Sequence, residues 1–201
     1  MLKVYISDYE YSKDSSGAEK AASKRLLEAG LQEICGLRLA DCQMGTGPHG
    51  KPYLLCPSGL CFNISHSRGR AVCAFSDRAV GADIQQRRAP SPRLVQRVLA
   101  ESEQAGYAAM TAGGSTDSAL LFAVYWALKE SYLKYTGDGL SFPPEKAVFK
   151  VQQANTAPAG ETFTGQMLAP DPALSYTVRT EGGFALALCS SSPEKPVFVR
   201  L

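Results

Sequence analysis

Three short runs, Cys61 to Ser65, Ala71 to Ser76 and Ala79 to Gln85, are joined by little more than Ser67-Arg68-Gly69-Arg70 and Asp77-Arg78. Links that short suit hairpins, so the runs read as an antiparallel meander. Around them the chain alternates between types of element. Met1 to Asp8 reads as a strand, and Ala18 to Leu31, after the polar Asp14 to Gly17, is rich in helix formers with basic residues on one side. Gly45 to Pro52 has the glycines and prolines of an exposed loop. Beyond Pro90 and Pro92 a helix is expected over Arg93 to Met110, then a break at Gly113-Gly114-Ser115. The clearest helix runs from Asp117 to Tyr135, with Ser115, Thr116 or Asp117 as N-cap and Gly137 to stop it. Ala147 to Gln152, Thr162 to Leu168, Ser175 to Arg179 and Phe184 to Cys189 complete the pattern as a second small sheet. The whole is α+β in two parts, 1–100 and 101–201.

Composition excludes several classes. Hydrophobic residues are 45% of the 201 and charged residues 20%, with 21 Lys+Arg against 19 Asp+Glu. Neither disorder nor nucleic-acid binding is indicated, and any anion site has to be local. No run approaches the roughly 18 apolar residues of a membrane span, and the opening strand is unlike a signal peptide, so a cytoplasmic protein is expected. Cys35, Cys42, Cys56, Cys61, Cys73 and Cys189 form no CxxC pair, and His49 and His66 are the only histidines. That argues against zinc and for reduced, structural thiols.

Period-two alternation puts Val80, Ala82 and Ile84 on one strand face and Asp83 and Gln85 on the other. Paired oxygens suit a hard cation such as Mg²⁺, although a strand ending in solvated polar residues has the same pattern. Helical i, i+4, i+8 spacing aligns Trp126, Glu130 and Lys134, with Leu121, Val124, Tyr125, Leu128 and Tyr132 as apolar surface. Glu130 and Lys134 also fit an ordinary surface ion pair. Phe62-Asn63-Ile64-Ser65-His66-Ser67 ends a strand with hydroxyl and imidazole groups, and His66 is equally readable as a structural histidine. Lys24, Arg25, Lys51 and Arg70 suit phosphate contacts or plain solvation.

In order, Gly50-Lys51-Pro52, Phe62 to Ser67, Gly81-Ala82-Asp83-Ile84-Gln85 and Trp126-x-x-Lys129-Glu130-Ser131-x-x-Lys134 resemble the signature of Sfp-type 4′-phosphopantetheinyl transferases. Gly137-x-Gly139-Leu140 is also similar. The resemblance implies two similar α+β halves related by a pseudo-twofold axis, with coenzyme A in the cleft between them and activity as a monomer. It implies transfer of phosphopantetheine to a serine of an apo acyl or peptidyl carrier protein, as a holo-acyl-carrier-protein synthase does. By the same carry-over, Asp83, Glu130 and Gln85 are the candidate Mg²⁺ ligands, Gln85 standing where glutamate is common. Lys134 and His66 would contact the pyrophosphate. Lys51 and Ser65 would meet the nucleotide end, and Lys24 or Arg25 the 3′-phosphate. Glu130 is the expected base. Glu103, after Leu99 in place of an aromatic residue, resembles the glutamate of a further motif. Competing readings are a non-catalytic coenzyme A or carrier-binding module and a magnesium-dependent hydrolase.

Overall fold

The computed structural model describes residues 1–12, 14, 16–112, 117–151, 153–157, 160–192 and 194–201, with backbone alone at 140, 153–157 and 160–166. The chain opens with β1 (Leu2–Asp8) and α1 (Ser16–Cys35), followed by β2 (Gln43–Thr46) and β3 (Pro52–Cys56), then β4 (Cys61–Ser67) and β5 (Arg70–Ser76). β4 and β5 form the expected hairpin. Its two-residue turn, Arg68-Gly69, has positive φ at both positions, 37° and 101°, as a tight hairpin that follows the strand twist requires.

The third strand departs from the expected meander. β6 (Val80–Gln86) does not pair with β5, because both edges of β5 are already taken, by β4 and along its full length by β1. The chain crosses instead to a second sheet. Between β6 and the rest of that sheet come α2 (Pro92–Val98), α3 (Glu101–Thr111) and α4 (Ser118–Thr136). The expected single helix over Arg93 to Met110 is broken at Leu99 and Ala100, both extended, where the Glu103 carboxylate accepts from Ala100 N at 2.8 Å and starts the helix afresh. Asp117 caps α4 and Gly137, with φ 83°, ends it; Ser115 and Thr116 lie outside the described residues. β7 (Val148–Phe149), β8 (Gln153–Ala157), β9 (Gly160–Ala169), β10 (Ser175–Glu181) and β11 (Phe184–Ser190) follow, and β12 (Val197–Arg200) closes the chain. The expected strand Ala147 to Gln152 shortens to β7, and Gln152 lies outside the described residues.

One sheet has the order β12-β1-β5-β4 and the other β6-β11-β10-β9-β7, with β8 on β9. The sheets do not part at residue 100: β6 joins the later strands, and β12 returns to lie parallel to β1. Leu2, Val4, Ile6, Val72 and Ala74 of the first sheet meet Val80, Ala82, Ile84, Leu186 and Leu188 of the second. α1 covers the outer face of the first through Leu26, Leu27 and Leu31 against Tyr5, Cys73 and Phe75. α4 covers the second through Val124, Ala127, Leu128 and Tyr132 against Val178, Ala185 and Ala187. Four layers result, helix, sheet, sheet, helix. All six cysteines are free, and burial pushes the thiols of Cys73 and Cys189 upward, that of Cys189 to about 12.

Candidate active site

The two sheets also meet edge to edge, and the site is at that seam. β4 and β6 are edge strands of different sheets. Alternate side chains of β4 do the work that a neighbouring backbone normally would. Asn63 Oδ1 accepts from Ala82 N at 2.8 Å, Ser65 Oγ from Ile84 N at 3.3 Å and Ser67 Oγ from Gln86 N at 3.1 Å. The Asn-x-Ser-x-Ser pattern of the sequence is thus a ladder of acceptors that satisfies the open edge of β6.

Gly81 brings β6 onto α4. Any Cβ there would drive into Ser131 O and Tyr135 N, so only glycine lets strand and helix backbones lie in contact. Two residues on, Asp83 emerges on the same strand face, 2% exposed. α4 is buried on almost every side, and within its middle turns Trp126, Glu130 and Lys134 alone are partly exposed, the stripe expected from i, i+4, i+8 spacing. Strand and helix periodicity therefore meet at one place.

There Asp83 Oδ1 accepts from Lys134 Nζ at 2.6 Å and from Ser65 Oγ at 2.7 Å, while Oδ2 accepts from Gln85 Nε2 at 2.7 Å. Lys134 Nζ also donates to Ser65 Oγ at 2.8 Å. Glu130 differs: among the described residues none hydrogen-bonds to its carboxylate. Burial raises its pKa above the ordinary value, the negative charge of Asp83 raises it further, and Lys134 opposes both. A desolvated carboxylate beside a second one, with no donor of its own, suits a proton or a hard cation. Asp83 and Glu130 are a pair of hard oxygen donors of the kind that could hold a divalent cation such as Mg²⁺, while Gln85, expected as a third ligand, turns its NH₂ to Asp83.

The other expected residues lie around this cluster without joining it. His66 is on the opposite face of β4 from Ser65, turned toward α1, its Nδ1 3.5 Å from Glu19 Oε2. Arg25 donates to Ser7 Oγ, and the exposed Lys24 lies 3.7 Å from Glu28. Lys51 Nζ donates to Tyr135 O at 3.2 Å and Val80 O at 3.5 Å, tying the β2–β3 loop to the end of α4, and burial lowers its pKa. Arg70 is held by Asp8 at 2.5 Å.

Two features escape the linear sequence. Lys129, inside the Lys129-Glu130-Ser131 run, points away from the cluster into a buried ion pair with Glu103 at 2.6 Å. Beside Gln85 a groove of about 510 Å³ is walled by Trp126, Phe122 and Leu94 and by Arg68 and Arg88. Its walls come from distant parts of the chain, and only the hairpin turn at Arg68 carries a local signal.

A family model described as the 4′-phosphopantetheinyl transferase superfamily matches residues 79–189, from the start of β6 through α4 to β11. The chain is 27% identical over 157 residues to 4′-phosphopantetheinyl transferase Sfp of Bacillus subtilis (strain 168), covering 78% of this chain and 66% of that protein. It is 32% identical over 126 residues to 4′-phosphopantetheinyl transferase HetI of Nostoc sp., covering 60% and 52%. A further match, 36% identical over 117 residues, is to the L-aminoadipate-semialdehyde dehydrogenase-phosphopantetheinyl transferase of Xenopus laevis, covering 51% and 37%. The chain spans a little under two thirds of the length of Sfp and about half that of HetI.

Proposed function

The chain belongs to the 4′-phosphopantetheinyl transferase superfamily, and on that footing we propose that it moves the phosphopantetheine arm of coenzyme A onto a serine of an acyl or peptidyl carrier protein. In this reaction the serine oxygen attacks the β-phosphorus, the bond from that phosphorus to the bridging oxygen breaks, and 3′,5′-ADP leaves. The serine proton goes to a base.

The observation that carries the reading is the Glu130 carboxylate, partly exposed, without a donor among the described residues, on the same open stripe as Lys134 and facing Asp83. Glu130 accepts the serine proton, a task for which a raised carboxyl is better matched than an ordinary one. Lys134 is the cation paired with Asp83 in this cluster, and its ammonium would steady the charge that grows on the phosphate oxygens. Ser65 holds Lys134 and Asp83 in register. Asp83 and Glu130 are the residues that would hold Mg²⁺, which when bound neutralises diphosphate charge. Lys24, Arg25, Lys51 and His66 stand as contacts to the nucleotide end and pyrophosphate of coenzyme A, supported by their position on α1, its sheet and the neighbouring loop. The groove beside Gln85, apolar at Trp126 and Phe122 and basic at Arg68 and Arg88, gives the carrier serine its approach.

In the same reading the halves 1–100 and 101–201 are related units, since each lays one long helix on a largely antiparallel sheet and lends a strand to the other. The enzyme is of the holo-acyl-carrier-protein synthase kind and works as a monomer, because the Asp83–Glu130–Lys134 cluster comes from one chain. Six unpaired cysteines support the cytoplasm as its setting. No described helix is long and apolar enough to cross a membrane.

Incubating the chain with an apo carrier protein, coenzyme A and Mg²⁺ and weighing the carrier tests this. A gain of one phosphopantetheine is expected, lost in Glu130→Gln with the circular dichroism spectrum unchanged. Coenzyme A binding without any mass gain would support a binding module instead, and phosphopantetheine released without a carrier would support a hydrolase.

A further inference from the structure

Each oxygen of Asp83 is already engaged by the protein. Oδ1 is shared by Lys134 Nζ and Ser65 Oγ, and Oδ2 is held by Gln85 Nε2 at 2.7 Å. A carboxylate paired with an ammonium at 2.6 Å has no proton to give, so the Gln85 group facing it has to be the NH₂ end and not the carbonyl. A glutamate at 85 has no such donor, and would set a second negative charge against Oδ2. The site holds the charges of Asp83 and Glu130 against that of Lys134, which leaves a single net negative charge, little to draw a doubly charged ion out of water.

We propose that Gln85 is a positioning residue that fixes Asp83 through its amide N–H, and that Mg²⁺ consequently settles in this site only together with the diphosphate of coenzyme A. The ordering follows from Lys134. In the protein alone its ammonium occupies Asp83 Oδ1, so a free cation has to displace it, whereas a diphosphate offers Lys134 another anion, frees Oδ1 and supplies oxygens of its own. With Oδ2 pinned by Gln85, the freed Oδ1 stays aimed at α4 and Glu130 while the exchange takes place. The ordering rests on the transferase reading; the positioning role does not.

Three proteins test it: wild type, Gln85→Met, which keeps the length and loses the donor, and Gln85→Glu. Thermal melts in EDTA should show Gln85→Met below wild type and Gln85→Glu lower still, from repulsion against Asp83. Calorimetric titration with Mg²⁺ should find wild type binding about tenfold or more weakly without coenzyme A than with it, and Gln85→Glu closing that gap. With coenzyme A and carrier present, Gln85→Met should need about 10-fold more Mg²⁺, as loss of a group orienting a metal ligand does, and recover its kcat at saturating Mg²⁺. A kcat that Mg²⁺ does not restore would overturn the positioning role, as would a Gln85→Met protein that melts in EDTA with wild type. Equal Mg²⁺ affinity of wild type with and without coenzyme A would overturn the ordering. Failure of wild type to bind coenzyme A at all would overturn the transferase reading and the ordering with it, leaving the metal-free melts to judge Gln85.

Discussion

Glu103 and Lys129 meet at 2.6 Å with both side chains 1% exposed, and every donor and acceptor of the pair is used. Lys129 Nζ also donates to Pro144 O at 3.1 Å and Ala147 O at 2.6 Å. Glu103 also accepts from Ala100 N and, at 2.9 Å, from Phe149 N. Burial lowers the pKa of Lys129 and Glu103 opposes the fall. The lysine has three N–H bonds and three acceptors, so it is held as an ammonium. Behind the site, this network joins α3, α4 and β7.

Removing one partner strands the other charge in the core, so Glu103→Ala should cost about 3–5 kcal/mol in urea unfolding. Buried pairs can often be replaced whole by apolar residues at little cost. Here Glu103→Leu with Lys129→Met should not recover, because Ala100 N and Phe149 N lose their acceptor. A double variant as stable as wild type would show that the backbone bonds carry no weight.

Gly81→Ala should damage the site more than its size suggests. The added methyl meets Ser131 O and Tyr135 N, both backbone, so β6 and α4 have to move apart. Overpacking of this kind costs about 1–3 kcal/mol. The larger effect is expected in carrier modification, since Asp83 lies on the strand and Glu130 and Lys134 on the helix. Unaltered kcat/KM in Gly81→Ala would show that their spacing is not critical.

The seam between the sheets should respond in graded fashion. Asn63 is 5% exposed and its partner Ala82 fully buried, so Asn63→Ala leaves a buried N–H unpaired at about 1–3 kcal/mol. Ser67 and Gln86 lie at the rim, and Ser67→Ala should cost much less. Hydrogen exchange at Ala82 N, fast in Asn63→Ala and slow in Ser67→Ala, is the direct measurement.

The site was legible in sequence where it depends on local period. Asp83 with Gln85 on a strand face, and Trp126, Glu130 and Lys134 on a helix stripe, follow from repeats of two and of about 3.6. What was not legible depends on edges and distant partners. Nothing local shows that β1 takes the edge of β5 that β6 needed, or that β12 pairs beside β1. β2 and β3 hid because the ribbon buries little besides Leu54 and so has no apolar alternation. The i, i+2, i+4 pattern of Asn63, Ser65 and Ser67 was visible, but its purpose appears only once β6 lies alongside. The sequence names Gln85 without showing that the NH₂ end of its amide faces Asp83.

Glu130 should trade stability for function, with a sign fixed by pH. Its carboxyl is raised above the ordinary 4.5, by burial first and Asp83 second. Below that value both folded and unfolded chains carry the proton and no penalty exists. As pH rises past it the unfolded chain ionises first, so stability falls until the folded pKa is passed and stays reduced above it. Glu130→Gln cannot ionise and escapes this loss. In EDTA the variant should therefore melt above wild type near neutral pH, with the difference shrinking as pH falls toward 4.5. Adding coenzyme A with Mg²⁺ should raise wild type more than the variant, because the crowded charge then has a partner. A variant that melts below wild type in EDTA at neutral pH would mean that Glu130 is held by attraction and not by desolvation.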